Sequence, residues 1–118
     1  MILLDTNAII WMVTNHRRGR RLQRSENLSI SPASVLELGM MVSVGRIRMR
    51  LQDVIEDDRW VVDDPVASLW FTRAGEESWT RDPFDRLIVA HARLRGWQLA
   101  TGDAQMLDHL RPSEAREL

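Results

Sequence analysis

Cysteine is absent from the 118 residues, which excludes structural disulfides, thiolate metal sites and cysteine nucleophiles. Lysine is absent as well: all sixteen basic residues are arginine. No apolar stretch approaches the roughly 20 residues that cross a bilayer, and no basic segment precedes a signal-like core. Internal repeats, linkers and low-complexity segments are also missing. A cytoplasmic protein without membrane contact is the expectation. The length has room for one domain, residues 1–118. With 44% hydrophobic and 28% charged residues, such a domain can bury a core without covalent staples.

The net charge of −1 does not point to a nucleic-acid partner, but the distribution of charge says more. Arg17, Arg18, Arg20, Arg21 and Arg24 crowd into one short stretch, and Arg46, Arg48 and Arg50 alternate in another. Arginine makes forked contacts to phosphate or carboxylate better than lysine does. The stretch reads either as an RNA-backbone grip or as a solvated helix face with the arginine bias of a GC-rich genome.

Met1 to Leu4 is a continuous apolar run, as in a strand buried on both faces of a parallel sheet. A helix is expected from Ala8 to about Asn15, and a short helix or helical turn from Arg17 to Ser25. Leu28 to Ile30 reads as a strand. Ser31-Pro32 starts a helix with a serine cap and proline in the first turn, running to about Val44 before Gly45. Arg46 to Gln52 is either extended or the start of a helix through Asp57. Trp60 to Val62 is a third strand, and Asp64-Pro65 starts a helix to Gly75. Asp82-Pro83 repeats the cap-and-proline device for a helix to Arg95. Gln98 to Thr101 is a fourth strand, Asp103 begins a short helix, and Arg116 to Leu118 is a last short strand. This alternation predicts a three-layer α/β/α sandwich around a mostly parallel sheet.

The acids are placed informatively on that frame. Asp5 ends the first strand and Asp103 follows the fourth, where open α/β sheets gather ligands. Each is also explained as a helix cap. Glu37 lies mid-helix in the apolar run from Val35 to Val42, so it needs an arginine or a metal. Asp82 and Asp85 share one helical face, although Asp82 reads as a cap and Asp85 suits the helix dipole. Four convergent carboxylates repel one another unless a divalent cation joins them. Oxygen-only ligands suit Mg²⁺ or Mn²⁺ and hence phosphoryl chemistry. Asp57-Asp58, Asp63-Asp64 and Glu76-Glu77 read as solvated pairs.

Other chemistry-bearing residues fit plainer roles. His91 reads as a packed histidine, and His16 and His109 as surface. Trp11 and Trp70 sit in apolar helical contexts as core or dimer interface, and Met40 and Met41 read as core filling. Trp79, in a polar loop before Asp82, is the one aromatic placed to contact an RNA base.

Leu3-Leu4-Asp5-Thr6-Asn7, Ser31 to Leu38, Asp82 to Ala90 and Leu99-Ala100-Thr101-Gly102-Asp103 occur in order across nearly the whole chain. In this the sequence resembles PIN domains, and among them the VapC-type toxins of toxin–antitoxin pairs. The resemblance implies an endoribonuclease whose Mg²⁺ or Mn²⁺ is held by Asp5, Glu37, Asp85 and Asp103. Asp5 and Asp85 would be the direct ligands. Glu37 and Asp103 would bind the ion, directly or through water, or position the attacking water. Asp82 is a supplementary acid, and Thr6, Asn7 and Thr101 are the natural orienting residues around the ligands. Arg86 pairs with a site acid or forms an outward salt bridge. The resemblance further implies a homodimer held inactive by a small antitoxin whose tail enters the acidic groove. The rival from another class is a catalytically silent binding module on the same fold. Phosphotransfer on an aspartate fails for want of a lysine, and because Asn7 stands where a phosphatase has its second acid. Nothing supports a two-carboxylate glycosidase.

Overall fold

The computed structural model describes residues 1–22 and 26–118. The part of the expected helix at residues 23–25, with Arg24, lies outside them. Five strands form one sheet: β1 (Ile2–Leu4), β2 (Leu28–Ile30), β3 (Trp60–Val62), β4 (Gln98–Thr101) and β5 (Ala115–Glu117). Their order is β3-β2-β1-β4-β5, and every pairing is parallel, so the sheet is wholly rather than mostly parallel. The helices are α1 (Thr6–Val13), α2 (Pro32–Ser43), α3 (Leu51–Ile55), α4 (Ala67–Gly75), α5 (Pro83–Arg95) and α6 (Ala104–His109).

The apolar run of β1 is explained by two cores. Ile2 and Leu4 join Ile9, Ile30, Leu38 and Trp60 on one face of the sheet, while Leu3 points to Trp70, Ile88, Val89 and Leu99 on the other. Alternation along a strand that is covered on both sides requires apolar residues at every position. Ser31 caps α2 by accepting the Ala33 N–H at 3.1 Å, and Asp82 caps α5 by accepting those of Phe84 and Asp85 at 2.8 and 3.2 Å.

Several local expectations are corrected. The chain is irregular from Ile47 to Arg50 and turns helical at Leu51, so both readings of that stretch hold in part. Of the stretch after Arg17 the described residues form a 3₁₀ turn, Gly19–Arg21, which is the helical turn among the two expectations. Asp64-Pro65 does not start α4, which begins at Ala67. Tertiary contacts hold the segment extended instead: Arg95 donates to the Asp64 carbonyl at 3.3 Å and to Asp63 Oδ2 at 2.8 Å. The last strand starts one residue earlier than expected, at Ala115. Met40 is exposed rather than core, and with Leu36 and Val44 it forms an apolar stripe at four-residue spacing along α2. Among the described residues no helix is long and apolar enough to cross a membrane.

Candidate active site

The strand order reverses between β1 and β4, because the chain builds the sheet outward from β1 through β2 and β3 before returning to the other side of β1. The carboxyl ends of those two strands carry Asp5 and the Thr101-Gly102-Asp103 loop. They are locked side by side, with Leu4 opposite Ala100 and the Asp5 N–H donating to the Ala100 carbonyl at 3.1 Å. A cleft of about 410 Å³ opens there. Asp5, Glu37, Asp82, Asp85 and Asp103 all line it, together with Thr6 and Asn7, and Arg46 is its one basic residue among the described residues.

Asp5 is buried and has both oxygens engaged. Oδ1 accepts the Ala8 N–H at 2.7 Å, the cap of α1, and Oδ2 accepts the Thr101 hydroxyl at 2.5 Å. The cap reading of Asp5 therefore holds, and the same carboxylate lines the cleft. The Thr101 hydroxyl in turn accepts the Asp103 N–H at 3.0 Å, and Asp103 Oδ1 caps α6 through the Met106 N–H at 2.9 Å. Thr101 thus ties the Asp5 carboxylate to the Asp103 backbone. The Thr6 hydroxyl lies 3.2 Å from that of Ser34, which can donate to it and leave the Thr6 O–H for the Glu37 carboxylate.

Electrostatics mark the cleft as a place where negative charge is crowded. Burial raises the Asp5 carboxyl to about 6 against its hydrogen bonds to Thr101 and Ala8, with Asp103 and Glu37 adding to the rise. Asp85 is pushed to about 7, first by burial and then by the fields of Asp82, Asp103, Glu37 and Asp5. Glu37 is raised by burial, which the Thr6 hydrogen bond, Asp82 and Arg46 modify. Neither Asp85 nor Glu37 has an ion-pair partner among the described residues. The arginine alternative for Glu37 reduces to the field of Arg46.

This donor set fits a divalent cation. It is oxygen-only, rich in negative charge and relieved by a positive one. Among the described residues no three acids or histidines close on a point by themselves.

The other candidates separate clearly. Among the described residues Arg86 pairs with no acid: its Nε donates to the Thr80 carbonyl at 2.6 Å, tying down the loop before Asp82. Trp79 does not line the cleft. Its ring stacks on His109 at 4.9 Å and its N–H donates to Glu77 at 2.7 Å, which spends both its face and its polar edge on the fold. All three acid pairs read as solvated contain a member tied to an arginine. Asp63 accepts from Arg95 and bonds the buried His91 at 2.7 Å, and Glu77, itself buried, pairs with Arg93 at 2.6 Å. Asp57 is held by Arg59 at 2.7 Å. Of the arginine stretch, Arg17, Arg20 and Arg21 are exposed and Arg18 is half-buried.

Sequence reasoning missed Met40, Met41, Val44 and Arg46 as cleft residues. The signal was present, since positions 37, 40, 41 and 44 fall on one face of a helix.

A curated relative, ribonuclease VapC22 of Mycobacterium tuberculosis, is 28% identical over 122 aligned residues, covering 94% of this chain and 93% of the relative. Among solved structures, a toxin–antitoxin complex from Klebsiella pneumoniae superposes with a TM-score of 0.74 at 17% identity over the whole of both chains. VapBC2 from Rickettsia felis, bound to a DNA fragment from its promoter, gives 0.68 at 18% identity, covering 99% of this chain and 98% of that one. These structures share the fold. Residues 2–111 match the PIN domain, and with the acids gathered at the switch point of an all-parallel sheet, the chain belongs to the PIN-domain family.

Proposed function

We propose that the chain is an endoribonuclease toxin of the VapC type, acting as one nuclease domain with Mg²⁺ or Mn²⁺. The observation that carries this reading is the convergence of five carboxylates on one cleft at the sheet's switch point, two of them raised to about 6 and about 7. The name of the curated relative, a ribonuclease, supports RNA as the substrate. That the first of the structural neighbours is a toxin–antitoxin complex supports a cognate antitoxin as partner. The exposed stripe of Leu36, Met40 and Val44, which runs into the cleft, gives such a partner an apolar place to dock. A homodimer follows from the same resemblance.

Asp5 and Asp85 would hold the ion, with Glu37 and Asp103 completing its shell directly or through water. When bound, such an ion neutralises charge on the scissile phosphate and lowers the pKa of water. Thr101 fixes the Asp5 carboxylate, and Thr6 does the same for Glu37. Asp82 keeps α5 capped, which sets the position of Asp85 one turn in. A carboxylate of Glu37 or Asp103 would position the attacking water; the water oxygen bonds to phosphorus, the P–O bond to the leaving sugar oxygen breaks, the water's proton passes to that acid, and the leaving oxygen takes a proton from solvent.

The test is cleavage of cellular RNA with Mg²⁺ or Mn²⁺, with and without EDTA, in the parent and in Asp5→Asn and Asp85→Asn. Loss of cleavage in both folded variants and in EDTA is expected. Full activity in EDTA overturns the mechanism. A parent that binds RNA and a protein partner but never cuts selects the silent binding module instead.

A further inference from the structure

Arg18 stands apart from the other described arginines of its stretch. Arg20 is committed to Asn15, donating to its side-chain oxygen at 3.3 Å and its carbonyl at 3.2 Å. Arg18 instead spreads over the Trp11 ring, its guanidinium carbon 5.1 Å from the ring centroid. It makes no ion pair among the described residues, although five carboxylates lie in the neighbouring cleft.

Its place is set by close packing. A Cβ at Gly102 would stand 2.7 Å from the Trp11 ring and 3.0 Å from Arg18 Nη1, so both side chains press on the backbone between Thr101 and Asp103. A Cβ at Gly19 would stand 2.8 Å from the Trp11 carbonyl, so only glycine lets the turn close onto the end of α1. The Arg18 N–H donates to His16 Nδ1 at 3.1 Å, and His16 itself stacks on Trp11 at 5.5 Å. The guanidinium is thereby oriented before any ligand arrives, one residue from a cleft acid.

A planar cation held this way, half-desolvated and unpaired, suits a forked contact to phosphate. Resting on the ribonuclease reading above, we infer that Arg18 on its Trp11 platform binds a phosphate of the RNA strand beside the one that is cut. The contact is to the backbone and carries no base preference.

The experiment measures binding of a fluorescein-labelled pool of random-sequence 20-nucleotide RNA across a salt series. Asp85→Asn serves as parent so that the strand stays intact. Adding Arg18→Ala is expected to weaken binding several-fold and to reduce the salt slope by about 0.7, the value for one contact to a single strand. Adding Arg18→Lys keeps most of the slope and recovers part of the affinity. In chains with all acids intact, Mn²⁺ affinity by calorimetry should be unchanged by Arg18→Ala. An unchanged salt slope, or weaker RNA binding that merely follows weaker Mn²⁺ binding, overturns the inference and makes Arg18 a buttress of the Gly102 loop. That result leaves the ribonuclease reading standing, whereas RNA neither bound nor cut with all acids present removes both.

Discussion

Thr101 and Asp5, ninety-six residues apart, share a hydroxyl–carboxylate hydrogen bond of 2.5 Å in the floor of the cleft. The same hydroxyl accepts the Asp103 N–H, so one side chain aligns the acids at the ends of two neighbouring strands. Thr101→Val removes both bonds in a buried place. Without the donor, Asp5 should ionise less readily, because a hydrogen bond to a carboxylate favours its charged form. The acid limb of the pH–rate profile should move to higher pH, and activity should fall roughly 10- to 100-fold. Thr101→Ser keeps the hydroxyl and should stay near the parent. A valine variant with the parent profile would show that Asp5 needs no such support.

The metal-free chain should lose stability as pH rises through the range in which the cleft acids ionise. Asp5 and Asp85 have folded pKa values of about 6 and about 7, above the ordinary aspartate value of 3.8. The folded state therefore holds protons that the unfolded chain has already released, and stability falls between pH 4 and 7. For buried Asp5 this amounts to about 3 kcal/mol, and Asp85, half-exposed and screened, adds less. His91, held neutral mainly by burial, acts in the opposite sense below pH 6.5. The informative comparison is thus with Asp5→Asn, which should flatten the decline. Mg²⁺ or Mn²⁺ should raise the thermal midpoint at pH 7.5 and have little effect at pH 5. Equal metal effects at both pH values would remove these acids from the binding site.

Glu37 gives a test of the same frustration at a single position. Burial raises its carboxyl, and among the described residues it has no ion-pair partner. Glu37→Gln is nearly isosteric and removes the charge. The metal-free variant should melt a few degrees higher, as about 1 kcal/mol does in a domain of this size, and should bind Mn²⁺ more weakly. A lower melting temperature would mean that Arg46 pairs with Glu37 in solution.

Local signals were the legible part of the sequence. Ser31-Pro32 and Asp82-Pro83 mark helix starts because cap and proline act within one turn, and the apolar β1 declares its two covered faces. The acids could be placed once strands and helices were, since Asp5 and Asp103 sit at strand ends by sequence alone. What stayed hidden depends on partners distant along the chain. Asp63 looked solvated because His91 and Arg95 lie 28 and 32 residues away, and the same contacts hold Asp64-Pro65 out of α4. Met40 looked like core because an apolar residue on a helix does not announce whether its face is covered.

Glu77 was also hidden, and its geometry makes an unusual demand on its replacement. Oε1 accepts from Arg93 Nη1 at 2.6 Å and Oε2 from the Trp79 N–H at 2.7 Å, both at a buried site. Glutamine has only one oxygen, so its amide N–H₂ would face one of two donors. Glu77→Gln should therefore cost almost as much as Glu77→Ala, about 2–3 kcal/mol by urea unfolding. It should also loosen Trp79 from His109, visible as a shift in tryptophan fluorescence. Because this loop leads into the Asp82 cap, Mn²⁺ affinity should fall modestly in both variants. A glutamine variant as stable as the parent would mean that water serves Arg93 and Trp79 equally well, and that the bridge does not set the position of α5.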